Sequence, residues 1–247
     1  MSNTARQHLH PAQIAPHSQW LPLLPLPLYA RALAAARSIS RSRGQTLFRQ
    51  SEPAQWVYLL GMGQLRLFQI SPEGHQIGFD LLLPIRDLGL IAAVPNAEYP
   101  LTAQALSTTH LLAWPHLLLH SLCEHYPPLS LHLMRLAHAH SLQLTRQTYE
   151  LMTLRVEQRI ARCILRLAAH IPPPATPTTP LVIPLSRQHL AELTTTTPGT
   201  VSRTLSVWTQ QGILTAQRTT IALHEMEPLY LLAGMEPLTQ AERVPPC

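Results

Sequence analysis

The stretch from Leu185 to Leu214, LSRQHLAELTTTTPGTVSRTLSVWTQQGIL, constrains this chain more than any other. It reads as two helices joined by a tight turn. Thr197 is placed to cap the second helix and Pro198 to open it, because the first helical position loses nothing to a missing N–H and gains from a fixed φ. Gly212 then closes it. Val201, Leu205 and Trp208 recur at i, i+4 and i+7 and define one buried stripe. Gly199, Ser202, Arg203 and Ser206 fall on the opposite face, near the helix start. A helix that offers small polar side chains and an arginine from its first turns suits a major groove, where it can reach base edges.

Charge agrees with that reading by its placement more than by its amount. The net charge of +5 is carried by arginine alone, since the sequence has no lysine. From Arg155 to His224 there are seven arginines against Glu157 and Glu192, whereas the last 23 residues carry four glutamates and one arginine. The positive field is therefore concentrated around the helix pair. Cys123, Cys163 and Cys247 lie far apart and form no C-x-x-C pair, which excludes a disulfide framework and the usual zinc and iron–sulfur spacings. Pro22, Pro25 and Pro27 break the Leu-rich stretch at 20–28, so it is read neither as a signal peptide nor as a membrane span. The expected location is the cytoplasm.

Upstream, the chain changes character twice. Residues 1–19 are polar and aperiodic and are expected to be a flexible tail. Short β-rich runs separated by turn signals such as Gly61-Met62-Gly63 and Ser71-Pro72-Glu73-Gly74 occupy the region from Arg43 to Leu112, the pattern of an antiparallel roll or sandwich. Pro127-Pro128 then starts a helix in which Leu129, Leu133, Leu136, His140, Leu144, Gln147, Leu151 and Leu154 follow one another at spacings of three and four. A stripe so long and narrow predicts a dimer seam; a helix packed only on its own roll is the alternative. A second amphipathic helix from Val156, the Pro/Thr-rich PPPATPTTP, a short strand at Leu181 to Pro184, the helix pair, and a small wing around Gln217-Arg218 complete the chain. The expected fold is α+β: a tail over 1–19, a β-roll over 20–127, a dimerisation helix over 128–154 and a winged helix-turn-helix over 155–247.

This order of parts, with Arg43-Gly44-Gln45-Thr46-Leu47-Phe48, Gly61-Met62-Gly63-Gln64-Leu65-Arg66-Leu67, Arg159-Ile160-Ala161-Arg162 and Thr200-Val201-Ser202-Arg203-Thr204-Leu205, resembles the Crp/Fnr superfamily of bacterial transcription regulators. The resemblance spans about residues 20–235. It implies a homodimer that reads pseudo-palindromic double-stranded DNA with the helix at 198–211, and RNA polymerase as a partner where such a protein activates. It places Ser202 and Arg203 at bases and backbone. The exposed face adds Ser206; Arg187, Thr197 and Thr200 sit where helix starts meet phosphates, and Arg218 on the wing is a further candidate DNA contact. The seam residues expected from the stripe on the long helix are Leu133, Leu136, His140, Leu144, Leu151 and Leu154. Two departures stand out. Gly199 occupies the place of the family's usual glutamate, and Thr195 that of the usual turn glycine.

In relatives that bind cyclic AMP, the resemblance implies a Gly-Glu pair and an Arg-Ser pair around the phosphate. Here Gly89 is kept, Leu90 stands for the glutamate and Tyr99-Pro100 for the Arg-Ser pair, with Thr102 nearby in sequence and Thr145 on the long helix. A phosphodiester lacking its guanidinium would be a poorly compensated charge. These residues are therefore a candidate pocket for an unidentified small-molecule effector other than cyclic AMP. The family's iron–sulfur branch uses clustered N-terminal cysteines, and none precedes Cys123. Fourteen histidines, with His116 and His120 at i, i+4, keep a haem- or metal-dependent sensor of the same family as an alternative, although no third ligand has a defined spacing and no metal site is assigned. A cupin-like metal enzyme is the remote alternative. It would need two histidines and a carboxylate converging from strands, and only His75 and His110 fall in the strand region, so no catalytic residues are assigned.

Overall fold

Apolar runs between Arg37 and Pro115 form two four-stranded antiparallel sheets in the computed structural model, which describes residues 11–74, 76–174, 176 and 179–235. The strands are β1 (Arg37–Arg41), β2 (Thr46–Phe48), β3 (Trp56–Met62), β4 (Leu65–Ile70), β5 (Gln76–Leu82), β6 (Arg86–Leu88), β7 (Thr102–Ala105) and β8 (Thr109–Pro115). One sheet has the order β1-β8-β3-β6 and the other β2-β7-β4-β5. β3 carries an unbroken apolar run, Val57 to Leu60, because both of its faces are covered. β1, Arg-Ser-Ile-Ser-Arg, lacks such a run. It is recruited by its pairing with β8, from Arg37 opposite Ala113 to Arg41 opposite Thr109.

Residues 11–19 are not a tail. Helix α1 (Pro11–Ile14) and a 3₁₀ turn at Ala15–His17 lay Ile14, Ala15, Trp20 and Leu21 into the core of the roll. Residues 1–10 lie outside the described part. The indole of Trp20 meets that of Trp114 edge-on at 5.4 Å, and Trp114 Nε1 donates to the carbonyl of Ala32 at the end of helix α2 (Leu26–Ala34). This strap has no periodicity because single contacts hold it, so nothing in its sequence pattern announced it. The polar tie is Asp87, whose carboxylate accepts from the Ser18 hydroxyl (3.1 and 3.2 Å) and from the Gln19 N–H (2.5 Å).

Desolvation pushes the Asp87 carboxyl up to about 6 from its ordinary 3.8, against the donors on Gln19 and Ser18 and the charge of Arg86. A carboxyl raised on folding contributes stability that is complete below its unfolded value and is lost as pH rises through its folded value. The window is therefore about pH 4 to 6. Asp87→Asn removes this dependence, so unfolding free energies measured from pH 4 to 7.5 should drift in the variant's favour by on the order of 2 kcal/mol relative to the parent. A pH-independent difference would contradict the assignment.

Helix α3 (His116–His125) follows the roll, and the 27-residue helix α4 (Pro127–Thr153) follows it. The chain divides into two compact units within α4, residues 1–142 and 143–247. The second unit contains α5 (Val156–Ala168), β9 (Leu181–Ile183), α6 (Arg187–Leu193), α7 (Pro198–Gln210), β10 (Leu214–Ala216), β11 (Ile221–Leu223) and α8 (Glu227–Leu232). Its sheet is antiparallel in the order β10-β11-β9, the wing expected around Gln217-Arg218. Ile160, Ile164 and Leu167 of α5, Leu190 of α6 and Val201 and Leu205 of α7 are buried in this unit.

The predicted seam on α4 requires correction at its start. Leu129 is fully buried and Leu133 packs against the core of the roll, so this end of the stripe is used inside the chain. Leu136 and Leu154 are half-buried, and His140, Leu144 and Leu151 are exposed. A second stripe, Leu131, Met134, His138, Leu142, Thr145, Tyr149 and Met152, also runs at spacings of three and four, and all of it is exposed: Met134 is 69%, Tyr149 61% and Met152 80% accessible. Two stripes of the same period coexist on one helix. Periodicity alone does not say which of them meets the roll.

Candidate nucleic-acid interface

The helix pair is built by local chemistry. Ser186 caps α6 by accepting from the His189 N–H, and Thr197 caps α7 by accepting from the Thr200 N–H at 3.2 Å, with Pro198 at the first position. The turn between the helices is a Schellman motif: the Thr195 N–H donates to the Glu192 carbonyl and the Thr196 N–H to the Ala191 carbonyl. Such a turn requires a left-handed residue, and Thr195 supplies it at φ +50°. Replacing the usual glycine thus leaves the turn's form intact but stores strain, since a β-branched residue in this region costs roughly 1–2 kcal/mol. Gly212 ends α7 by the same device, at φ +77°.

Val201, Leu205 and Trp208 are buried, as their spacing predicted, and Thr204 joins them. Arg203 is exposed and makes no hydrogen bond or ion pair among the described residues. Ser202 is half-buried, and the Ser206 hydroxyl donates to the Ser202 carbonyl at 2.8 Å, leaving its oxygen lone pairs to the exterior. The Thr197 and Thr200 hydroxyls sit 3.0 Å apart at the helix start. Arg218 is exposed at the tip of the wing hairpin, whose turn is closed by the Gln217 N–H on the Thr220 carbonyl. Arg187 is placed differently from expectation. One of its terminal nitrogens donates to the Ala216 carbonyl of the wing at 3.1 Å, and its Nε is buried without a partner among the described residues. It joins α6 to the wing, a link that neither periodicity nor composition could signal.

Gly199 lies exposed at the second position of α7, and a Cβ there would meet only Thr197 Oγ1, at 3.8 Å. Nothing in the backbone requires glycine. Gly199→Glu should therefore fold normally and place a carboxylate where it can accept from a cytosine N4 amine. The expected result in a binding-site selection is a new cytosine preference of about 1–3 kcal/mol in each half-site. An unchanged site would show that position 199 does not face bases.

The candidate effector residues come together only in part. Gly89 has φ +75°, and a Cβ on it would lie 2.8 Å from the Trp56 carbonyl and 3.3 Å from the Tyr99 ring. The buried Tyr99 hydroxyl donates to the Trp56 carbonyl (2.7 Å) and accepts from the Trp56 N–H (3.1 Å), while its ring stacks on Phe48 at 3.9 Å. Burial pushes its phenol above the ordinary value of 10.0, so it stays neutral. Leu90 is half-buried at the start of a 3₁₀ turn, and the buried Thr102 hydroxyl accepts from the Gln50 N–H. Pro100 is exposed, and so is Thr145 on α4. The histidine pair is likewise engaged internally, the His116 ring with the Gln55 carbonyl and the His120 ring with that of Ala92. Among the described residues no three His, Cys, Asp or Glu side chains are grouped to hold a metal ion, and no helix is long and apolar enough to cross a membrane.

Comparison with known proteins follows the same division. Residues 39–126 match the cyclic nucleotide-binding domain and residues 158–232 the Crp-like helix-turn-helix domain. The transcriptional activator protein FnrA of Stutzerimonas stutzeri is 28% identical over 217 residues, covering 85% of this chain and 88% of its own length. The transcriptional activator protein anr of Pseudomonas aeruginosa is 28% identical over 193 residues, 78% of each chain. Among solved structures, FixK2 of Bradyrhizobium japonicum shares the fold with a TM-score of 0.72 at 20% identity, over 83% of this chain and 98% of that one. The residues around Gly89 do not fit the cyclic nucleotide that the first domain's description implies. No arginine stands at Tyr99, whose ring is stacked and whose hydroxyl is already doubly bonded. Calorimetric titration with cyclic AMP is expected to show no binding tighter than about 1 mM, and micromolar affinity would contradict this account.

Proposed function

The chain belongs to the Crp/Fnr superfamily of DNA-binding transcription regulators, and from that premise we propose that it acts as a two-fold homodimer gripping a pseudo-palindromic duplex with two copies of α7. The observation that carries this reading is Arg203, exposed and without a partner among the described residues, on a helix whose start is locked by the Thr197 cap and whose other face is buried. Its guanidinium offers two parallel donors to O6 and N7 of a guanine. Ser202 and Ser206 flank it. The Thr197 and Thr200 hydroxyls and the first amides of α7 take phosphate oxygens, as does Arg218 from the wing, and these contacts set register without reading sequence. Arg187 supports the wing through Ala216 in this scheme.

Dimerisation uses the exposed stripe of α4 from Leu131 to Met152, together with Leu144 and Leu151, since an apolar surface of that length on a helix calls for a partner helix. Two-fold symmetry then sets the half-site centres one helical turn, roughly 34 Å, apart. The roll takes a signal other than a cyclic nucleotide. Relatives described as transcriptional activators support an activating role, with RNA polymerase as the partner it would recruit. Light scattering of the complex with a duplex carrying both half-sites should give the mass of two chains per duplex. A stable complex of one chain per duplex would contradict the scheme.

A further inference from the structure

Helix α5 turns three arginines, Arg159, Arg162 and Arg166, toward the last turn of α4. The Glu150 carboxylate accepts from Arg162 at 3.2 Å and pairs with Arg166 at 3.6 Å, and Arg162 Nε also donates to the Ala233 carbonyl at the end of α8. Arg159 does something else. Its two terminal nitrogens go to two backbone carbonyls, that of Leu151 at 3.2 Å and that of Thr195 at 3.4 Å. Leu151 is in the final turn of α4, where carbonyls have no partner within the helix. Thr195 is the strained left-handed residue of the turn between α6 and α7.

We propose that Arg159 is a positioning residue: by bridging the carbonyls of Leu151 and Thr195, it fixes the angle at which α7 leaves the end of the dimer helix. A planar guanidinium can hold two acceptors in one fixed geometry, whereas a lysine ammonium is a point donor on a flexible stem. The second acceptor is well chosen for this purpose. A left-handed threonine has a more favourable conformation available to it, and a donor fastened to its carbonyl opposes relaxation of the turn on which the Thr197 cap and the start of α7 depend. Arg159 is thereby committed to backbone acceptors, not to DNA. The ion pairs of Glu150 hold α4 against α5; Arg159 is the side chain that carries this attachment on to the recognition helix.

The inference rests on the dimeric DNA-reading function proposed above, and spacer preference tests it separately from that function. Affinities of the full-length protein are measured on duplexes that share both half-sites but differ by one or two base pairs in the spacer, at several salt concentrations. The parent protein should prefer one spacer. In Arg159→Ala the discrimination between spacers should fall by about two- to thirtyfold, because the two copies of α7 are no longer held at one angle. The salt slope should not change, whereas losing a phosphate contact would lower it by about 0.9 per subunit. Arg159→Lys, which keeps the charge, should behave like the alanine variant, and it decides the matter should Arg159→Ala fail to fold. Spacer discrimination that survives in a folded Arg159 variant, full rescue by lysine, or a reduced salt slope would overturn the proposal. A parent protein with no preferred spacer would overturn the dimeric reading, and this proposal with it.

Discussion

Replacing Arg203 with alanine is expected to cost the protein most of its sequence preference. A bidentate arginine–guanine pair discriminates by about 1–3 kcal/mol, and a dimer makes two such pairs, so affinity for the preferred duplex should fall by about 30-fold to 10⁴-fold. Affinity for unrelated duplexes should change far less, because in the proposed scheme phosphate contacts from Thr197, Thr200 and Arg218 supply that part of the binding. Arg203 is exposed and bonded to nothing else in the described chain, so its removal leaves the core of α7 on Val201, Leu205 and Trp208 untouched. Anisotropy titrations on the preferred duplex, and on one with the guanine changed, separate the two terms. A uniform loss on all duplexes, with a lower salt slope, would make Arg203 a phosphate contact instead. Arg203→Lys should recover little of the preference, since one ammonium cannot span O6 and N7 as a guanidinium fork does.

Met134→Glu is expected to dissociate the dimer. Met134 is 69% accessible in the single chain, so a charge there does not disturb the roll, but at a two-fold seam each copy would bury a glutamate against its like. An unpaired charge in an apolar interface costs several kcal/mol, enough to weaken association by about a hundredfold or more. Affinity for the palindrome should fall with it, because the second half-site is no longer engaged as an intramolecular step. Leu133→Ala is the contrasting case. Leu133 packs on the core of the roll, so that variant should lower the melting temperature of the roll and leave the dimer intact. Sedimentation equilibrium with thermal melting checks both. A dimeric Met134→Glu protein, or a monomeric Leu133→Ala protein with an unaltered melt, would reverse the assignment of the two faces.

These two residues also mark what the sequence could and could not disclose. The recognition helix was legible because its determinants are local: the Thr197 cap, Pro198, the Val201, Leu205 and Trp208 stripe and Gly212 lie within 16 consecutive positions. The turn before it is legible as a departure, since Thr195 stands where the family's usual glycine would, and Thr195 adopts the left-handed conformation that glycine supplies, so the turn keeps its form. α4 was legible as a long helix but not as to phase, since 129, 133 and 136 satisfy the same spacing as 131, 134 and 138. What escaped altogether depends on contacts far apart in the chain. The strap is tied by Ser18 and Asp87, 69 residues apart. Tyr99 stands where the resemblance puts a phosphate ligand, yet its bonding to Trp56, 43 residues away, leaves no mark in the sequence pattern. Arg159 belonged to a recognisable segment, but no periodicity assigns a guanidinium to the carbonyl of a residue 36 positions on.

The central claim, that two copies of α7 read a symmetric site, is tested most directly by selecting binding sites from a random pool of duplex DNA with the purified protein. The selected sequences should converge on an inverted repeat with one guanine-containing contact region per half and half-site centres about one helical turn apart. Convergence on a single asymmetric site, or no enrichment over the starting pool at moderate salt, would contradict it.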